Sequence, residues 1–364
     1  MDALKNVYSP KFLAGFADQI KTVCNSFPTK NFLTEVQSDG WQELELKQRM
    51  RRISNTLQNC LPGPYKDQAD ILCRVSENLE QAGLSSFPYL CIPDFIEQYG
   101  TADLATSLDA MESITRFVSC EFAIRPFLLA SPTKVMTRMK AWSKHKHQNV
   151  RRFSSEGCRP RLPWGKAIPA FKKDPAPVLP ILENLKDDES LFVRKSVANN
   201  INDIAKDHPS LVFELIRKWK GKSERTDWIL KHGSRTLLRR ADPAIYSMFG
   251  LSGEHKGKIS DLRLSGSKVK PGEAVVLSFA LTNEAKTPAL FRVEVGVDYV
   301  KSKGGVSRKL FKISEKTLEP GKTYAFKRQV AFVDLTTRKH YPGKHNIAVV
   351  VNGKELGSKQ VVLG

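Results

Sequence analysis

Segment 150–203 concentrates the side chains of this 364-residue chain that could act on a negatively charged polymer. Its first part, VRRFSSEGCRPRLPWG, reads as a basic loop holding one carboxylate, Glu156, and one tryptophan, Trp164. Arg151, Arg152, Arg159, Arg161 and Lys166 lie within sixteen residues there. Guanidinium forks bind phosphate oxygens in pairs, so a phosphate backbone is the chemistry this spacing suits. The last part, ESLFVRKSVANNINDIAKD, reads as a helix with Arg194, Asn199, Asn202 and Asp203 on its polar side. A third acid, Glu121, sits in SCEFAIRPF among apolar residues.

Each of these has a plainer reading. Glu156 could serve only to order the arginines around it. Asp203 could be a helix-surface acid paired with Arg194 or Lys206. Glu121 could be a core-edge acid on a buried helix, paired with Arg125 four residues on. Trp164 belongs to no amphipathic stripe, so it is either a loop anchor or a platform for a cation or a base. Ser154 and Ser155 have no nearby histidine, which leaves a hydrolase triad unsupported. His145 and His147 stand two apart and do not share a helical face, which argues against a metal pair.

Charge supports an anionic partner. The formal net charge is +20, which bears on partners rather than on fold. The excess is local. Residues 134–174 carry twelve Lys and Arg against two acids, and residues 255–364 carry 21 against nine. The rest of the chain is nearly neutral, so two basic patches sit on an ordinary body. All six cysteines precede residue 160 and none forms a C-x-x-C pair, so no zinc site is expected. The start MDALKNVYSP has no signal-peptide pattern, and reduced thiols in a cytoplasmic protein are expected. No apolar run approaches the roughly 20 residues of a membrane span.

The elements that must position these residues are mostly helices. Phe12, Phe16, Ile20 and Val23 fall on one stripe, as do Met50, Ile53, Leu57 and Cys60, and Ile71, Val75 and Leu79. Prolines at 28, 62, 64, 88 and 132 punctuate them. Short paired helices of this kind predict a HEAT-like α-solenoid over residues 1–250. Within it, Ser190–Lys206 should turn Leu191, Val197, Ile201 and Ile204 inward, Thr226–Arg240 should be one helix, and Trp219 and Trp228 should be core. After a linker at 251–257 the period changes to two. Phe291, Val293, Val295, Val297 and Tyr299 alternate, and Asn352-Gly353 marks a hairpin. About seven strands predict a C-terminal all-β immunoglobulin-like sandwich over 258–364, with a basic excess that suits an anionic partner. The expected fold class is therefore mainly α with an all-β C-terminal domain.

The motifs RRFSSEGCRPRLPWG, DDESLFVRKSVANNINDIAKDHPSLVFELIRKW and WILKHGSRTLLRR resemble those of the bacterial DNA alkylation repair glycosylases of the AlkC/AlkD group, in its AlkC branch. The resemblance is strongest over 130–250 and architectural elsewhere. It implies a solenoid whose concave face binds duplex DNA carrying alkylated bases, with the basic sandwich as a second DNA-binding domain. It implies cleavage of the N-glycosidic bond of cationic N3-methylated bases, 3-methyladenine and 3-methylcytosine, without drawing the base into a deep pocket. It makes Glu156, Asp203, Trp164 and Glu121 the catalytic residues. On this reading Arg152 and Arg159 meet flanking phosphates, with Arg151, Arg161, Lys166 and Arg194 as further DNA contacts. No metal or cofactor is needed, and a monomer is expected. The rival reading is a HEAT-like scaffold that binds damaged DNA without chemistry.

Overall fold

A computed structural model describes residues 4–240, 242–251, 256–335 and 338–364. Sixteen α-helices and eight strands occur among them. The helices are α1 (Pro10–Val23), α2 (Thr29–Val36), α3 (Leu46–Cys60), α4 (Tyr65–Gln81), α5 (Cys91–Tyr99), α6 (Leu104–Ile114), α7 (Ile124–Ala130) and α8 (Pro132–Trp142). They continue with α9 (Gln148–Gly157), α10 (Pro169–Lys173), α11 (Leu179–Leu185), α12 (Leu191–Ile204), α13 (Pro209–Trp219), α14 (Glu224–Gly233), α15 (Arg235–Arg239) and α16 (Pro243–Met248).

The stripes read from spacing are the buried faces. Phe16 and Ile20 on α1, Ile53 and Leu57 on α3, and Val75 and Leu79 on α4 are fully buried. Each such side chain contributes about 1.5–3 kcal/mol over an exposed one. Serine or proline opens several helices: Ser9 accepts from the Phe12 amide, and Pro10, Pro132 and Pro209 occupy first-turn positions. The helices pack as a chain of neighbours, α1 on α4, α3 on α5, α4 on α6, α9 on α12 and α12 on α14. This is the HEAT-like arrangement, in which each short helix buries its apolar face against the next. Helix α12 is the innermost of its group, held between α9 and α14. Gly233 permits the second contact, because a Cβ there would meet Ile201 Cγ2 at 2.8 Å.

The compact units divide between Gly233 and Ser234. The expected helical domain ran to residue 250, so α15 and α16 instead belong with the strands. The reason is visible in the second unit: the Tyr246 hydroxyl donates to the Leu238 carbonyl at 3.1 Å and to Glu294 Oε2 on a strand at 3.3 Å. The expected helix Thr226–Arg240 is broken at Ser234 into α14 and α15. Of the expected linker 251–257, positions 252–255 lie outside the described residues.

The strands are β1 (Gly257–Leu264), β2 (Lys268–Val269), β3 (Ala274–Asn283), β4 (Ala289–Val300), β5 (Val306–Leu318), β6 (Thr323–Ala331), β7 (Gly343–Val351) and β8 (Lys354–Leu363). They form a three-stranded sheet, β1-β3-β6, and a five-stranded sheet, β2-β8-β7-β4-β5. The alternating residues of β4 and the core sides of β3 and β7 fill the space between them, with Leu277, Phe291, Val295 and Val349 fully buried. Asn352 and Gly353 join β7 to β8 at φ 45° and 80°, the left-handed pair that a two-residue hairpin of right-handed twist requires. No described helix is long and apolar enough to cross a membrane.

Candidate active site

Helix α9 begins the site. The basic segment expected as a loop is helical from Gln148 to Gly157, so Arg151, Arg152 and Glu156 are set by helical spacing. Only 158–165 is irregular. Arg152 and Glu156 stand four apart and so share a helical face, and Arg159, just past the helix end, turns back to Glu156.

Glu156 and Asp203 come together through Arg159. Arg159 Nη1 donates to Glu156 Oε1 at 2.6 Å, and Arg159 Nε donates to Asp203 Oδ2 at 2.9 Å. Ser196 Oγ donates to the other Glu156 oxygen at 2.6 Å, and Lys206 Nζ to the other Asp203 oxygen at 3.0 Å. The side chains of Glu156, Arg159 and Asp203 are 6, 7 and 2 % exposed. The plainer reading of Asp203 as a helix-surface acid paired with Arg194 or Lys206 is half met: Lys206 pairs with it, but the carboxylate is buried under Arg159 and Lys206. Arg159, expected at a phosphate, is likewise buried between the two acids. Burial alone would lower its pKa, but the charges of Glu156 and Asp203 outweigh that and raise it. Two buried carboxylates need this cation, since an unpaired buried charge is very costly.

Glu121 does not pair with Arg125 and is not on a helix. It lies in the turn before α7 and accepts from Arg152 and from Ser119 Oγ, the latter at 2.6 Å. Arg152 also lies over the Phe192 ring, 4.8 Å from its centroid, and Phe192 is exposed. Arg152 is 3.7 Å from Glu156 Oε1. The three acids are thus linked by two arginines.

Arg125 is the residue that spacing alone missed. It is fully buried, and donates through Nη1 to the carbonyls of Gly157 and Arg159 at 3.0 and 2.9 Å, and through Nε to the Lys166 carbonyl. Burial pulls its pKa down to about 10, with the neighbouring Arg159 charge acting the same way. Arg125 thereby ties the end of α9 to the loop carrying Trp164. Ser196 was missed too, although it stands seven residues before Asp203 and so on the same helical face. Neither residue announces itself by type, since a lone Arg or Ser in a helix is usually a surface group.

Trp164 is 63 % exposed and has φ +66°. A bulky residue in the left-handed region is an outlier that the surroundings must hold. Lys47 Nζ does so by donating to the Trp164 carbonyl at 2.7 Å. Next to it, a Cβ on Gly165 would stand 3.0 Å from Leu162 and 3.3 Å from both Arg125 and Phe122. Trp164 therefore projects as an indole platform, unlike Trp219, which is buried. Trp228, expected in the core, is 36 % exposed and stacks on His232 with centroids 4.9 Å apart. Leu191, expected inward, is 46 % exposed at the first turn of α12.

The other cations have protein partners. Arg151 makes a bidentate pair with Asp188 at 2.7 and 3.2 Å, and Arg161 one with Asp207 at 3.1 and 2.7 Å. Arg194 Nη1 donates to the carbonyls of Asp188 and Glu189. Lys166 keeps a 64 % exposed side chain, 3.9 Å from Glu97. His145 and His147 each accept a backbone N–H at Nδ1 and face Glu112 and Glu80 through Nε2. Among the described residues no cluster of three or more His, Cys, Asp or Glu is arranged to hold a metal ion.

Residues 112–240 match the family profile described as "DNA alkylation repair enzyme", and residues 258–364 match one described as the C-terminal Ig-like domain of YhaZ. A Bacillus subtilis (strain 168) protein named YhaZ is 41 % identical over 354 residues, spanning 97 % of both chains. The solved Pseudomonas fluorescens alkylpurine DNA glycosylase AlkC, bound to DNA containing an abasic site analog, superposes with a TM-score of 0.93 at 37 % identity over all of both chains. With its helical site and its Ig-like sandwich, this chain belongs to the DNA alkylation repair enzyme family.

Proposed function

We propose that this chain is a DNA glycosylase that hydrolyses the N-glycosidic bond of cationic N3-methylated bases, 3-methyladenine and 3-methylcytosine, in duplex DNA. The observation that carries the reading is the carboxylate pair Glu156–Asp203, clamped by Arg159, in a basic segment that also carries the exposed indole of Trp164. A binding scaffold gains nothing from buried acids facing a phosphate backbone.

The chemistry follows from the charges. A methylated base already carries positive charge, so the C1′–N bond can break with its electron pair leaving on the base. The deoxyribose is left as an oxocarbenium ion. Glu156 and Asp203 stabilise that cation, and one of them takes the proton of the attacking water. Glu121 adds negative charge through Arg152. The Trp164 face offers a cation–π contact to the sugar. Because the base leaves without needing protonation, the reaction does not require a deep pocket to activate it. Arg159 acts as the counter-ion that keeps the acids together, and Lys166 and the outer edge of Arg161 are the groups placed to meet phosphates.

The sandwich adds a second DNA contact through its excess of basic residues. Cutting the chain at residue 258 is a poor test, since α15 and α16 belong to the same unit as the strands. Point reversals of exposed lysines are cleaner.

The deciding experiment is single-turnover base release from a duplex with one 3-methyladenine or 3-methylcytosine, comparing wild type with Asp203→Asn. Release by the wild type and its loss in a variant that still binds DNA establishes the enzyme. Tight binding with no release by the wild type establishes the scaffold.

A further inference from the structure

A cavity of about 240 Å3 lies in the helical unit beneath Trp164. Leu46, Met50, Leu90, Pro93 and Phe122 give it apolar walls, and Trp164, Gly165 and Lys166 form one side. Its volume falls just below the roughly 300–1,000 Å3 of pockets for drug-sized ligands, the size of one bicyclic ring rather than a nucleotide. The lining residues Phe122 and Trp164 are aromatic.

The polar groups are few and convergent. Tyr8 is 1 % exposed and lines the cavity. Burial raises the Tyr8 pKa, with Cys91 and Asp94 adding to it, so the phenol is an O–H donor at any working pH. Glu97 lines the same cavity with a side chain only 15 % exposed, and its nearest cation, Lys166, is at 3.9 Å. Asp94, also lining it, is already satisfied by Arg51 through two bonds of 2.9 Å. The polar groups left to meet a ligand are therefore the Tyr8 hydroxyl and the Glu97 carboxylate, the latter held only by the long 3.9 Å pair with Lys166. With Lys47, Arg51 and Lys166 against Asp94 and Glu97, the lining has no strong net charge, which suits a neutral ligand.

We propose that this cavity is a binding site for a free neutral nucleobase, an N-methylated purine in the first instance. The ring lies between the Trp164 and Phe122 sides, its amino group donates to Glu97, and a ring nitrogen accepts from Tyr8. Its place next to the chemistry comes from Arg125, which joins the Lys166 carbonyl at the cavity wall to the Gly157 and Arg159 carbonyls beside Glu156. The site thus stands one loop away from the carboxylates and receives the base once it has left the sugar. This deepens the glycosylase reading by giving the product a place, and it can fail separately from it.

The test titrates free 3-methyladenine into the full chain, followed by saturation-transfer NMR and by quenching of tryptophan fluorescence. Saturable binding is expected. Tyr8→Phe, which keeps the ring and should leave the melting temperature unchanged or raised, weakens it about threefold to tenfold, the value of one net hydrogen bond. Met50→Trp fills the cavity and abolishes it. If Met50→Trp leaves the first turnover on alkylated duplex unchanged but relieves inhibition by added free base, the site takes the released base. If it also slows the first turnover, the site acts before the base leaves the sugar, which overturns the free-base proposal. A wild type that releases base from duplex but binds no free base overturns the proposal and spares the glycosylase reading. Binding without release does the reverse. Folded variants that bind as the wild type does also overturn it.

Discussion

The two units each bury an arginine between two carboxylates, and the likeness is close. In the helical unit Arg159 joins Glu156 and Asp203. In the sandwich Arg292 joins Glu294 at 2.6 Å and Glu315 at 3.0 Å. Exposure barely separates them: the arginine side chains are each 7 % exposed, and the four acids lie between 1 and 8 %. The surroundings differ. Arg292 and Glu294 are two apart on β4, Glu315 is the cross-strand partner of Arg292, and Tyr246 closes the group from α16. That cluster fastens a helix to a sheet. The helical cluster is continued outward by Lys206, Arg152 and Glu121, by the exposed ring of Phe192 and by the platform of Trp164. Burial and charge do not mark a site by themselves. What marks it is that the buried acids connect to groups a large ligand can touch.

The comparison breaks most sharply in kinetics. Asp203→Asn and Glu156→Gln are expected to lower single-turnover excision by about a hundredfold or more, as loss of charge stabilisation does, with DNA affinity unchanged or higher. Glu294→Gln should leave the excision rate of folded protein as it is. An equal loss from Glu294→Gln would sink the distinction drawn here. Next come the arginines. Arg292→Met and Arg159→Met each remove the cation shared by two buried acids, and each should cost up to about 3–5 kcal/mol in denaturant melts. The cost is less for Arg159→Met because Lys206 and Arg152 remain, while only Arg159→Lys, a milder change, slows excision at intact stability. Trp164→Ala should reduce excision about threefold to thirtyfold, in line with a cation–π contact, without shifting the melting temperature, because the ring is exposed. In the sandwich, reversing Lys309, Lys312, Lys316 and Lys327 to Glu should weaken DNA binding and flatten its salt dependence. A salt slope identical to wild type would count against the second contact.

The smallest effect concerns pH. Burial raises the pKa of Glu97, and the nearby Asp94 charge adds to it. A carboxyl whose folded pKa lies above its unfolded value binds more protons in the folded state. Stability from this group is therefore present at low pH and declines as pH rises from the ordinary carboxylate range through the folded pKa. Glu97→Gln should then be slightly more stable than wild type at neutral pH and no more stable at acid pH. Melting temperatures across pH 3.5 to 8 check the sign.

Local patterning determined a great deal of this protein. Helical stripes such as Ile53–Leu57 and strand alternation such as Phe291–Tyr299 reappear as buried faces, because a 3.6 or a 2 residue period forces one side of each element inward. Asn352-Gly353 is a hairpin because few other dipeptides accept two positive φ values. The candidate acids stood out as charges in the wrong company, and the family motifs carried their proposed roles. Tertiary structure decided who pairs with whom. Arg159 reaches Asp203 across 44 positions, and Arg152 rather than Arg125 reaches Glu121 across 31. Arg125 itself spends its donors on backbone carbonyls. Asp203 is buried beneath Arg159 and Lys206, one of them 44 positions away in sequence, and Trp228 stays 36 % exposed with its ring stacked on His232. Helical periodicity predicts which side of an element is polar. It does not say whether a neighbour will cover that side, since that depends on contacts made by residues tens of positions away.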